Sequence, residues 1–284
     1  MSLFSLLGAL EIGLIFSLVA LGVFISFRLL RFPDLTVDGS FPLGGAVCAT
    51  LIASGTDPFS ATIIATFAGA AAGLVTGWLN VKLKIMDLLA SILMMIALYS
   101  VNLRIMGKPN VPLITEPTVF TILQPGWISD YVARPLILIV IVILAKLALD
   151  WFFATQTGLA VRATGSNGRM ARAQGVNTGR MILGGMALSN ALVALAGALF
   201  AQTQGGSDIS MGIGTIVIGL AAVIVGESIL PSRKLVLATL AVIIGAIVYR
   251  FFIALALNSD FIGLKAQDLN LSLIHISEPT RPER

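Results

Sequence analysis

Eight apolar stretches recur along the chain, at about 3–27, 40–56, 59–81, 87–106, 135–154, 181–203, 212–230 and 235–257. A bilayer core of about 30 Å takes roughly 20 apolar residues in a helix, and helices satisfy their own backbone hydrogen bonds where there is no water. The pattern therefore specifies an all-α, polytopic membrane helical bundle. Composition agrees, with 57% of residues hydrophobic and only 11% charged, where a soluble domain carries about 25%. The stretch 40–56 is short and holds Pro42, Gly44 and Gly45. It is expected to be broken or re-entrant and to face the protein interior, because irregular backbone at membrane depth needs protein or a cavity around it. The first stretch is too long for a signal peptide and lacks a basic n-region and a small-residue cleavage site, so it reads as retained.

The net charge is +4 and the pI about 9.5, but the charges sit between the spans, where they serve as orientation signals and lipid headgroup contacts rather than a nucleic-acid surface. One set of loops carries Arg28, Arg31, Lys82, Lys84, Arg162, Arg169, Arg172, Arg180, Arg233 and Lys234; the other carries Arg104, Lys108, Arg134 and Lys265. The positive-inside rule puts the richer set in the cytoplasm and the N-terminus outside. The outer loop 107–134 holds Pro109, Pro112, Pro117 and Pro125, with Trp127 and Tyr131 late in it. It is expected to be an ordered, extended surface rather than a helix, with its aromatics at the membrane interface. It is either a solvated linker or part of a docking face for an external protein.

Between the fifth and sixth stretches lies TQTGLAVRATGSNGRMARAQGVNTGRM, residues 155–181, with four arginines and no acid. Gly165 is expected to break what precedes it. Ser166 or Asn167 can cap a short helix, Arg169 to Gln174 favour helix, and Gly175 suits its end. Arg169 and Arg172 share a face. A helix this short needs a partner surface, expected to lie outside this chain. Charge alone makes the segment an ordinary cytoplasmic loop; it leaves the glycines and the small-residue pattern unexplained.

Charged and polar residues inside the spans are the remaining site candidates. Lys146 and Asp150 are spaced to pair, Glu227 lies near Arg233, and Glu11 and Arg250 lie deeper; Arg250 needs an acid, a carbonyl or a water-filled cavity. Asp38, Ser40, Asn190, Gln202 and Gln204 either line a polar path or join helices. Asp38 or Ser40 is expected to cap the helix that follows. Small residues at 67–77 and 190–199, with Gly69, Gly73 and Gly77 in GxxxG spacing, let helices approach closely. The single cysteine, Cys48, packs as a small hydrophobe. No metal-ligand cluster is present, and the one histidine, His275, lies near the C-terminus.

The pattern ArgAlaThrGly (162–165) and MetAlaArgAlaGlnGly (170–175) resembles the cytoplasmic coupling loop of ABC-importer permeases of the branched-chain amino acid and ribose permease family. PheProAspLeuThrValAspGlySerPhe (32–41) and PheIleGlyLeuLysAlaGlnAspLeuAsn (261–270) resemble the subgroup encoded with lipoprotein-like binding proteins and an ATPase. The resemblance covers almost all of 1–270. It implies a permease domain over those residues in the bacterial plasma membrane, with loop 155–181 docking an ABC ATPase subunit. The coupling role falls on Gly165, Asn167, Arg169, Ala171 and Gly175, with Arg172 beside Arg169. It implies a second permease copy and an external substrate-binding protein as partners. No cofactor is expected on this chain, which has no GxxxxGK[ST]; ATP-Mg is used by the separate ATPase, and the chain itself is not an enzyme. The substrate is expected to be a small organic solute, including amino acids. The alternative is an ion-coupled secondary transporter, for which Glu11 and Arg250 are the available ionisable groups. Residues 271–281, LeuSerLeuIleHisIleSerGluProThrArg, resemble a translated sequencing-library adapter. On that reading 271–284 is a non-native tail, His275 has no role, and a ninth span is missing.

Overall fold

A computed structural model describes residues 3–124, 130–232 and 234–258, with side chains from Leu6 to Ala256. The expectations that fall on Pro125, Trp127, Arg233 and the segments 261–270 and 271–284 lie outside the described residues.

The chain forms helices α1 (Leu3–Val23), α2 (Val37–Ala53), α3 (Pro58–Leu83), α4 (Asp87–Met106), α5 (Val119–Leu123), α6 (Asp130–Ala154), α7 (Gln156–Ser166), α8 (Gly168–Ala173), α9 (Thr178–Gln204), α10 (Thr215–Ile229) and α11 (Leu235–Asn258). Every expected span has its helix. Six are long and apolar enough to cross a membrane, while α2 and α10 are shorter. At 1.5 Å per residue α2 is about 25 Å long, less than a full crossing.

From Gly13 to Ser26 every residue is buried, so α1 is the axis of the bundle. A helix that is apolar all round can be covered on every side, and Ile15, Leu18, Val19 and Leu21 are fully enclosed. Helix α9 packs on α1, α2 and α3, while α11 packs on α1 and α10. The small-residue faces form the α3–α9 seam. A Cβ at Gly73 would lie 2.2 Å from the Met186 carbonyl oxygen, so the two backbones approach as only glycine permits.

Two expectations are corrected. Helix α2 is continuous through Pro42, Gly44 and Gly45 and is not broken; it does face the interior, with Phe41, Ala46, Cys48 and Ala49 fully buried. The irregular backbone lies before it, where α1 widens into a π-helical turn, Phe24–Leu29, and Arg31 adopts φ +55°. Secondly, the proline-rich outer loop contains α5. Thr118 and Thr121 form a reciprocal cap, and the Gln202 side-chain oxygen accepts the Val119 N–H at 2.9 Å, so α9 holds a turn too short to stand alone. The loop's extended part is real as well: strand β1 (Asn110–Pro112) pairs antiparallel with β2 (Gly206–Asp208), Val111 opposite Ser207. Glu227, whose expected neighbour Arg233 lies outside the described residues, pairs with Arg28, at 2.7 Å from Nε.

Candidate functional site

The arginine-rich segment folds into two helices. Helix α7 begins where the Thr155 hydroxyl accepts the Gly158 N–H. It ends one residue past Gly165, so the expected break falls at Asn167. A Cβ at Gly165 would fall 1.8 Å from the Leu29 carbonyl oxygen, so the glycine lets α7 lie on the end of α1. Ser166 closes α7, and Asn167 opens α8, its side-chain oxygen accepting the Met170 N–H at 3.1 Å. Gly175, at φ +84°, ends α8 in a Schellman motif. Its N–H reaches the Arg172 carbonyl and the Val176 N–H reaches that of Ala171, both at 3.0 Å. Both ends of this short helix are therefore satisfied within the chain.

Helix α8 also finds part of its partner surface here, packing on α7 and α9. Ala171 is buried at 5% exposure and anchors it. Arg169, Met170 and Arg172 are exposed, and Arg172 folds back to donate from Nε to the Gly168 carbonyl at 3.2 Å. The result is a capped, cationic knob with one buried face.

A second polar system lies inside it. Asp38 and Ser40 do not cap their own helix; the residue at the start of α2, Thr36, makes no side-chain cap. Asp38 reaches α10 instead, accepting the Ile216 N–H at 2.8 Å and the Gly214 N–H at 3.3 Å. The positive N-terminal ends of α2 and α10 thus converge on one carboxylate. Asp38 lines a cavity of about 400 Å³ with Pro42, Met95, Tyr99, Asn102 and Ile213. Asn102 donates from Nδ2 to the Gly39 carbonyl, and its Oδ1 has no hydrogen-bond partner. Among the described residues, no basic side chain lines this cavity.

Ser40 donates to the Asn190 side-chain oxygen at 2.7 Å, and Asn190 donates to Asp34 at 2.8 Å. Asp34 also accepts the Thr36 N–H, an Asx turn. Fully buried in the connection between α1 and α2, its carboxyl has a pKa raised above the ordinary value by loss of solvation, which the hydrogen bonds from Thr36 and Asn190 only partly offset. Gln202 belongs to a separate knot, donating to Thr62 and Cys48 and accepting from Val119. Gln204 is exposed at the end of α9. The structure therefore joins Ser40 with Asn190 and separates Asp38, Gln202 and Gln204. Sequence reasoning missed Asp34 and Asn102 as members; the Asp-x-Thr spacing of an Asx turn is the signal for the first.

Lys146 and Asp150 pair as their spacing expects, and Asp150 also accepts from Thr239 on α11. Arg250 finds none of the anticipated partners at Nε, which has no hydrogen bond. Its guanidinium stands 4.1 Å over the ring of Phe16 instead, and Phe16 stacks on Phe41 at 5.7 Å.

Residues 5–273 match the family model described as branched-chain amino acid transport system / permease component. The chain is 40% identical over 91% of its length to the tyrosine transport system permease protein of Clostridioides difficile, covering 84% of that protein. It is 38% identical over 79% of its length to the uncharacterized protein RP368 of Rickettsia prowazekii, covering 77% of it. To the ribose import permease protein RbsC of Escherichia coli K12 it is 27% identical, over 71% of this chain and 62% of that one. These relatives support an importer permease and not the ion-coupled alternative. The chain is a multi-pass membrane protein and belongs to the branched-chain amino acid transport system permease component family.

Proposed function

We propose that two copies of this chain enclose the translocation pathway of an ATP-driven importer for amino acids or similarly small organic solutes. The observation that carries the coupling part is α8, a helix of six residues capped at both ends that presents Arg169, Met170 and Arg172 outward. It suits a groove on a separate ABC ATPase subunit, which binds ATP-Mg. Asn167 and Gly175 fix its ends, Ala171 anchors it, and Gly165 lets α7 transmit its displacement to α1. Closure of two ATPase subunits would rock both knobs and switch the pathway between two rigid-body arrangements. The N-terminus then lies outside, 155–181 lies in the cytoplasm of a bacterial cell, and an external binding protein delivers solute to the β1–β2 end.

The Asp38 cavity supplies the pathway's polar contacts. Acceptors at Asp38 and Asn102, with apolar walls and no basic group, suit the ammonium end of an amino acid with an apolar or aromatic side chain. The tyrosine-transport relative supports this class. The test is co-expression with the ATPase subunit in nanodiscs, followed by ATP-dependent uptake in proteoliposomes with the binding protein. A stable complex whose ATPase rate rises with loaded binding protein is expected. A chain that never associates with an ATPase and moves solute on an ion gradient would overturn the proposal.

A further inference from the structure

We propose that the groove between the π-turn of α1 and helix α7 binds the phosphate of an anionic phospholipid through Arg28, Arg31 and Arg162. These side chains line one cavity of about 380 Å³, together with Leu29, Leu159 and Ser166. The only acid the described residues bring to the three arginines by ion pairing is Glu227, on Arg28. Arg28 remains 63% exposed even so, and the groove carries a surplus of positive charge.

The backbone is specialised to bring these groups together. The π-turn, closed by the Leu30 N–H to the Ile25 carbonyl at 3.0 Å, re-aims the end of α1. Arg31 holds φ +55°, a conformation that costs energy for any residue but glycine and that asparagine or glycine would fill more readily. Gly165 lets α7 close on Leu29, which carries Arg162 to the other wall.

The surroundings favour a lipid as the source of the anion. Leu159, on the rim, is 60% exposed, and Trp151, in the last turn of α6, is 73% exposed. A tryptophan at the end of a spanning helix marks the headgroup level, and α7 continues from that level. Phosphate meets the arginines while acyl chain covers Leu159, as in basic pockets between membrane helices. The site does not depend on the importer reading and would survive its failure.

Native mass spectrometry of the full chain in dodecylmaltoside tests this, with dioleoyl-phosphatidylglycerol and dioleoyl-phosphatidylcholine as probes. Phosphatidylglycerol is expected to be retained preferentially, and Arg31→Gln and Arg162→Gln each to lower that preference about fivefold. Arg162→Lys keeps the charge and most of the preference. The double variant Arg169→Gln/Arg172→Gln removes twice as much charge elsewhere and keeps all of it. Equal retention of both lipids by the unaltered chain would overturn the site, as would an equal loss in the Arg169/Arg172 variant. Displacement of lipid by millimolar inorganic phosphate would make it a free-anion site. Loss of the preference on binding the ATPase subunit would assign the groove to that protein.

Discussion

The carboxylate of Asp38 accepts the backbone N–H of Ile216 at 2.8 Å, so a residue in the first turn of α2 caps α10 across the bundle. The two helices run from a shared point, and their unsatisfied N–H groups would otherwise face apolar surroundings. Asp38→Ala is expected to destabilise the chain by about 1–2 kcal/mol, the usual cost of a lost cap. Asp38→Asn keeps an acceptor but loses the charge at the helix dipole, about 0.3–1 kcal/mol. Thermal melting in nanodiscs reads both; equal melting of the alanine variant and the parent would show that the cap carries no stability.

Gly165 and Gly168 separate two uses of glycine in one segment. A Cβ at Gly165 meets the Leu29 carbonyl at 1.8 Å, while one at Gly168 meets nothing within 4 Å. Gly165→Ala should cost about 1–3 kcal/mol through forced displacement of α7. Gly168→Ala should be neutral or stabilise by about 0.4–1 kcal/mol, by restricting the unfolded chain. The melting temperatures of the two variants in the isolated permease decide this. Parity between them would mean that α7 is free to move off α1.

The spans were legible because lipid leaves a chain few options, and the eight apolar stretches coincide with helices α1–α4, α6 and α9–α11. The capping of α8 by Asn167 and Gly175 was legible too, because cap chemistry is local. The packing role of Gly165 was not legible, because a helix-breaking propensity and a close-packing requirement select the same residue; only the position of Leu29 reveals the second. The capping expected of Asp38 and Ser40 failed for a related reason. Their nearest helix in sequence is α2, but their partners, Ile216 and Asn190, lie far along the chain. No local pattern encodes such pairings. The same holds for Arg250, whose guanidinium lies over the ring of Phe16, far along the chain.

Asp34 gives the fold a pH dependence with a definite sign. Burial raises its pKa above the ordinary 3.8, so the folded chain holds the proton more tightly than the unfolded one. The stabilisation from protonation is fully present below the unfolded value and is lost as pH rises through the raised folded value. In Asp34→Asn this group no longer titrates. The melting temperature of the parent, measured relative to Asp34→Asn, should therefore fall as pH rises from about 4 and level off once the folded-state carboxyl is ionised. A constant or rising difference over that range would contradict a buried, proton-retaining Asp34.

Helix α8 makes the coupling proposal testable apart from stability. Arg169 is exposed and, among the described residues, bonds to no group that holds α8 in place, so Arg169→Glu should leave insertion and melting of the isolated permease within about 0.5 kcal/mol of the parent. Facing an acidic or dipolar groove, the reversed charge should abolish co-purification with the ATPase subunit. Asn167→Ala acts differently. It removes the cap on the Met170 N–H and should cost about 1 kcal/mol of local helix stability, weakening the complex roughly in proportion to the fraction of α8 that frays. Normal assembly and uptake with Arg169→Glu would remove α8 from the interface, whatever the melting data show. Loss of assembly in Arg169→Glu, with a graded loss in Asn167→Ala, would place the helix and its cap in the path from ATPase to bundle.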